Sequence, residues 1–233
     1  QDSSSAASDV YKRQIFGQFI NAATGDFIGS NIQISNVSAF GVDKDATESA
    51  VAFSKIQQEF LVAWKDDRFQ SGNIESDIIG RRVDAITKDT VTGEIRISNT
   101  SDAGSARNAD KPKVAWNGSE NEYLVVWEAD QLGGSNNDRF EIFGQLLDGT
   151  ANEIGSDFRI SNVVDVNVFR DAETPALTWC SLKNEYLVVW SSDQHTNNQL
   201  EVFGQLLDVD GNEINSDFRI SNALDVNANY NAE

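Results

Sequence analysis

The stretch NEYLVVW at positions 121–127 recurs letter for letter at 184–190, and a looser version, QEFLVAW, stands at 58–64. A seven-residue motif that returns every 63 positions constrains this chain more than any other feature, because internal repetition at such a period marks repeat architectures. Other motifs keep step with it. IFGQ at 15–18 returns as IIGR at 78–81, IFGQ at 142–145 and VFGQ at 202–205, and ISN ends at Asn36, Asn99, Asn162 and Asn222.

Each unit of about 60 residues holds four short segments of strand character, with no sustained helical period. In the unit after Lys111 they are PKVAWN (112–117), EYLVVWE (122–128), FEIFGQLLD (140–148) and DFRISN (157–162). The unbroken YLVVW run suits a strand covered on both faces. FRIS alternates, with Phe158 and Ile160 facing one way and Arg159 and Ser161 the other, which predicts an outer strand with one wet face. The first segment pairs a slim residue with an aromatic (Ala52 and Phe53, Ala115 and Trp116, Thr178 and Trp179), as crowding near an axis would select.

Four antiparallel strands per repeat predict an all-β chain of β-propeller blades. Three full blades follow a leading half blade, in an open arc expected to be cut from a larger propeller. The expected divisions are 1–14 outside the fold, 15–48 the half blade with its crossing loop, blades at 49–111, 112–174 and 175–224, and 225–233 the start of a further crossing. An open array of small β-domains packed only on their neighbours is the rival arrangement. Trp64, Trp127 and Trp190 share one register and are expected to form the seam between blades. Gly17, Gly80, Gly144 and Gly204 interrupt each third strand, which predicts a bulge or the close approach of a ring such as one of those tryptophans.

The motifs NEYLVVWEAD, EIFGQLLD, DGNEINSDFRISN and ETPALTW together resemble the long repeat of large secreted or cell-surface bacterial proteins, most of unknown function. The resemblance covers residues 15–233 and implies a propeller on an exported protein, extracellular or at the cell surface. Ser49 in place of the leading Pro, and Ile79 in place of the aromatic, depart from the pattern. Residues 1–14 resemble translated sequencing adapter, and the tail DVNANYNAE repeats the start of DVNVFRDAE (165–173).

Thirty-seven acidic residues against 18 basic give a net charge of −19. That excludes the cationic patch that nucleic acid demands and disfavours anionic lipid. No stretch reaches the length of a membrane-spanning helix. Cys180, the single cysteine, permits no internal disulfide and is expected in the core; His195 is expected in a surface loop. Longer loops (129–139, 192–198 and the crossings such as 163–173) fall on one face and make it the expected binding surface for a glycan or a protein. Asp67, Asp130 and Asp193, each three residues past the seam tryptophan, stand on that face, as do Asp77, Glu141 and Glu201 at the third-strand starts. Calcium favours such oxygen ligands, whereas an Asp at a strand exit also caps its own turn. Asp208 and Asp210 in DVDGNE pose the same choice between a calcium loop and a hairpin turn. No cofactor is otherwise expected. Catalytic motifs of the Gly-x-Ser-x-Gly or His-Glu-x-x-His kind are absent. The expected role is therefore a non-catalytic binding or scaffold module, the alternative being a fragment of a propeller hydrolase that acts on polysaccharide.

Overall fold

The computed structural model describes residues 13–37, 44–68, 75–100, 107–130, 139–163, 170–196 and 199–221, with the side chains of 194–196 excepted. The segment 1–12, most of the long loops and the tail 225–233 lie outside the described residues. Among the described residues, fourteen strands form three four-stranded antiparallel sheets and one two-stranded sheet. The half blade is β1 (Phe16–Ile20) and β2 (Phe27–Gln33). The first full blade is β3 (Ala46–Ser54), β4 (Glu59–Asp66), β5 (Asp77–Asp84) and β6 (Ile95–Arg96). The second is β7 (Ala109–Asn117), β8 (Glu122–Ala129), β9 (Glu141–Asp148) and β10 (Glu153–Arg159). The third is β11 (Ala172–Cys180), β12 (Glu185–Thr196), β13 (Gln199–Leu207) and β14 (Glu213–Arg219). Strands follow chain order across each sheet, and the first strands β3, β7 and β11 run against one another from blade to blade. The chain is all-β and built of propeller blades. Among the described residues no helix is long and apolar enough to cross a membrane.

The repeated sequence builds a repeated register. Trp64 pairs with Ile79, Trp127 with Phe143 and Trp190 with Phe203. Because side chains alternate across a strand, Tyr123, Val125 and Trp127 face the preceding blade, where they pack with Leu61, Ala63, Ile78 and Ile97. Leu124 and Val126 face the following blade and meet Tyr186, Val188 and Trp190. The three seam tryptophans are fully buried, and the core consists of the seams between blades.

The glycine of each third strand lies against the fourth strand. A Cβ on Gly80 would stand 2.7 Å from Ile97 Cδ1, and on Gly144 3.0 Å from Ile160 Cδ1 and 3.1 Å from the Phe158 ring. Gly17 and Gly204 face Ile34 and Ile220 in the same way. The close neighbour is thus the isoleucine of the ISN motif, joined by a phenylalanine ring in two blades rather than by a tryptophan, and the expected bulge is present as a register shift beside Gly17, Gly144 and Gly204. The serine of that motif also recurs. Ser35, Ser98, Ser161 and Ser221 each accept the backbone N–H of Ile15, Ile78, Ile142 and Val202 through their hydroxyls, at 2.8–2.9 Å.

Four other expectations need correction. The fourth strand of the second blade starts at Glu153 rather than Asp157, because Gly155 at φ 72° sits inside a register shift between Ile154 and Phe158. Exposed residues along that strand and buried Ile160 fit an outer strand with one wet face, but Ser161, expected on the wet side, is fully buried just past the strand's end. Cys180 is half-buried, because it ends β11 on the face that no further described blade covers. His195 belongs to the distal part of β12 and not to a loop; its side chain lies outside the described residues.

At the outer rim, the asparagine of one blade's ISN donates its N–H to a carboxylate of the next, Asn36 to Glu94 at 2.6 Å and Asn99 to Asp157 at 3.2 Å. Burial pushes the Asp157 carboxyl up to about 6, against the lowering effect of the Asn99 N–H and with help from Glu153 and Asp77. An acid with a raised pKa holds its proton more tightly in the folded chain, so its contribution to stability is greatest below the ordinary value and falls as pH rises through about 6. D157N removes this loss. Its melting temperature is expected to exceed that of the wild type at pH 8 and to match it at pH 4, read by circular dichroism; equal gains at both pH values would refute the assignment.

Candidate functional site

The first strands each carry a bulge near their start, and each bulge holds a non-glycine residue in the left-handed region. Glu48, Lys111 and Thr174 have φ of 54°, 53° and 56°, and register shifts bracket them in β3, β7 and β11. Such a conformation costs on the order of 1–3 kcal/mol per residue and persists only where the surroundings impose it. Here they do. The N–H of Lys111 donates to Glu48 Oε2 of the preceding blade at 2.8 Å, and that of Thr174 to Glu128 Oε2 at 2.6 Å. Lys111 Nζ lies 2.9 Å from Glu128 Oε1 and donates to Thr174 Oγ1 at 3.3 Å. Burial raises the Glu128 carboxyl more than Thr174 and Lys111 lower it. For Lys111, burial works against the charge, but the bond to Glu128 outweighs it and the ammonium pKa is raised.

This ladder crosses the three blades along their inner edge, at the end where second strands leave and third strands begin. Beside it opens a polar groove of about 210 Å³ lined by Asp45, Thr47, Lys65, Asp67, Glu75 and Ser76, among others. Lys65 Nζ reaches Asp110 of the next blade at 2.6 Å. Ser76 donates to the Ala109 carbonyl at 3.1 Å or the Asp110 carboxylate at 3.0 Å. Charges of both signs, hydroxyls and backbone groups therefore line one narrow surface, held by bonds that run from blade to blade.

The aspartates singled out in the sequence lie at this end, and all three perform one structural task. Asp67 Oδ1 accepts the N–H of Asp45 at 2.7 Å, Asp130 Oδ1 that of Asn108 at 2.6 Å, and Asp193 Oδ1 that of Asp171 at 3.1 Å. Each thereby fastens the start of a first strand to the exit of the second. A cation holds the carbonyl of the same residue from the incoming crossing: Lys44 on Asp67 at 2.8 Å, Arg107 on Asp130 and Arg170 on Asp193. Burial raises the carboxyls of Asp67 and Asp130.

Glu141, Glu201 and Asp77 are fully buried. They tie third strands to fourth: Arg96 to Asp77 at 2.7 Å, Arg219 to Glu201 at 3.3 Å, and Arg159 to Glu141 at 3.9 Å, with Ser161 and the Val163 N–H also on Glu141. Of the sequence candidates only Asp67 lines the polar groove. Asp208 spends its carboxylate on its own turn, accepting the N–H of Asp210 at 3.0 Å and of Asn212 at 2.8 Å. Asp148 does the same with Thr150 and Asn152. Among the described residues, no three His, Cys, Asp or Glu side chains gather as a metal ion would require.

Sequence reading missed Glu48, Lys65, Lys111, Glu128 and Thr174. The signal was present only as position, because 48, 111 and 174 stand one repeat apart while their residue types share nothing.

No family model matches the sequence, and no curated protein matches it. Among solved structures, the Penicillium chrysogenum alpha-L-arabinanase complexed with arabinobiose superposes with a TM-score of 0.54 at 13% identity, over 84% of this chain and 54% of that one. An N-acetylgalactosamine deacetylase from F. plautii in complex with blood group B trisaccharide gives 0.48 at 10% identity, over 74% and 52%. Exo-beta-1,3-galactanase from Phanerochaete chrysosporium with galactose gives 0.49 at 11% identity, over 86% and 42%. The chain thus spans about half the length of the structures it matches, and at these identities the likeness to the arabinanase is one of fold.

Proposed function

We propose that the chain is a segment of an exported β-propeller that acts on polysaccharide, with neutral sugar residues held at the inner-edge groove. The observation that carries this reading is the groove itself. Lys65, Asp67, Thr47 and Ser76 line it with fixed donors and acceptors of both signs, and a hydroxyl, which both donates and accepts, can satisfy either. A net charge of −19 turns away anionic polymers and leaves neutral ones. The arabinanase that shares the fold is complexed with arabinobiose, which is in keeping with a sugar as the ligand.

Hydrolysis, rather than binding alone, is favoured by Asp67. Its carboxyl is raised by burial and it lies in the same groove as Asp45 and Glu75, so an acid that holds its proton more tightly than usual stands near further carboxylates, the pairing that glycoside cleavage employs. Titration calorimetry with neutral arabino- and galacto-oligosaccharides is expected to show saturable binding that K65A weakens by about tenfold. Reducing-end release from the matching polysaccharide is expected to vanish in D67N while binding survives. Absence of binding across the panel overturns the sugar reading; binding without cleavage in the wild type overturns the hydrolytic one.

A further inference from the structure

Each complete blade presents its third strand between two partners, the second strand on one edge and the fourth on the other. β1 is the third strand of its unit, and among the described residues it pairs with β2 alone. Its opposite edge carries main-chain groups that a strand can extend. We propose that this edge is a docking site for a β-hairpin made of the first two strands of the same repeat, the Pro-led strand and the NEYLVVW strand.

Three observations lead to that occupant. The first is register. The seam tryptophan always pairs with the residue before the glycine, and the aromatic at the other end of the motif pairs four residues on: Trp127 with Phe143 and Tyr123 with Leu147, Trp190 with Phe203 and Tyr186 with Leu207. On β1 the same register sets a tryptophan opposite Phe16 and a tyrosine opposite Ile20. The second is exposure. Phe16 and Ile20 are 58% and 56% exposed, whereas Phe143 and Leu147 are 3% and 0%.

The third is shape. An apolar groove of about 360 Å³ separates β1 from the first full blade, lined by Phe19, Ile32, Ile34, Val51, Phe60 and Val62, among others. Between the second and third blades the corresponding space is filled by Leu124 and Val126 of the NEYLVVW strand, both fully buried. A hairpin of the repeat would therefore add a strand to β1, fill the groove with its leucine and second valine, and lay its tryptophan and tyrosine over Phe16 and Ile20. An extended peptide of another sequence could use the main-chain bonds but would not fit this pattern of pockets.

The test adds a synthetic peptide of residues 112–129 to the full chain. Calorimetry is expected to give one site per chain, and hydrogen exchange is expected to slow at residues 16–20. I20K and V51E alter side chains that are exposed in the chain alone, at 56% and 59%, and each is expected to weaken binding by about tenfold or more without changing the melting temperature. As a second arm that leaves the protein untouched, a peptide carrying Leu124→Asp and Val126→Asp is expected not to bind. Unchanged exchange at 16–20, or equal affinity of the altered and native peptides, overturns the proposal. So does protection of 16–20 that exists before peptide is added and fades on dilution, since the edge would then be occupied by a second copy of the chain.

Discussion

W127A is expected to destabilise the chain by roughly 3–5 kcal/mol, the range for removing a buried tryptophan or phenylalanine from a core, and to do so by separating two blades. Trp127 is fully buried and packs with Leu61, Ala63 and Ile78 of the preceding blade and with Tyr123, Val125 and Phe143 of its own. Its indole Nε1 has no hydrogen-bond partner, so the loss is one of packing and of the cavity left behind. Equilibrium urea unfolding would measure it. W127F keeps a ring in the seam and is expected to lose less. W179A serves as the contrast, because Trp179 is only partly buried against the Tyr186 ring, 4.6 Å away between centroids. A W127A loss no larger than that of W179A would mean that strand pairing within blades, and not the aromatic seam, holds the chain together.

The repeat makes this seam legible in the sequence. A motif that returns at a fixed period must return to the same environment, so YLVVW announced a covered strand and its tryptophan a recurrent contact. Glycine, isoleucine and serine of the later motifs were legible as recurrent but not in their roles. The contact of Gly144 with Ile160 needs the fourth strand folded back across the register shift that holds Gly155. The inner ladder was invisible for a further reason. Left-handed backbone normally announces itself as Gly or Asn, and here Lys111 and Thr174 are held there by N–H bonds to carboxylates of the preceding blade, one of them that of Glu48, which shares the conformation. The acidic candidates were legible as positions but not in their bonding, because only the folded sheet shows Glu141 and Glu201 as buried struts between third and fourth strands.

What does not repeat is equally informative. Arg68 follows Asp67 in the first blade, where the other blades have Gln131 and Gln194, and Asp66 stands where they have Ala129 and Ser192. The Arg68 side chain is buried, with Nε 2.7 Å and Nη2 2.6 Å from the Asp66 carboxylate and Nη1 on Glu94. Burial opposes the guanidinium charge, but the bonds to Asp66 and Glu94 outweigh it and its pKa is raised further. Asp66 also accepts the Trp64 Nε1 at 2.9 Å, and Glu94 accepts the Asn36 N–H of the half blade at 2.6 Å. Arg68 thus joins the first seam to the rim contact that carries β1 and β2.

R68A would leave the fully buried Asp66 carboxylate, and the partly buried Glu94, without their cation, and breaking a buried pair in this way costs about 3–5 kcal/mol. The double change D66A/R68A is expected to recover part of that loss, with a coupling of roughly 1–3 kcal/mol. It removes the stranded charge of Asp66 and leaves the Trp64 Nε1 without a partner, as Trp127 and Trp190 already are. Hydrogen exchange separates this network from a general loss of stability. In R68A, amides of residues 16–33 are expected to exchange faster than those of β7 to β14, because Asn36 loses a positioned acceptor in Glu94 while the later seams are untouched. Uniform acceleration along the chain, or a double variant no more stable than R68A, would show that the pair does not couple the half blade to its neighbour.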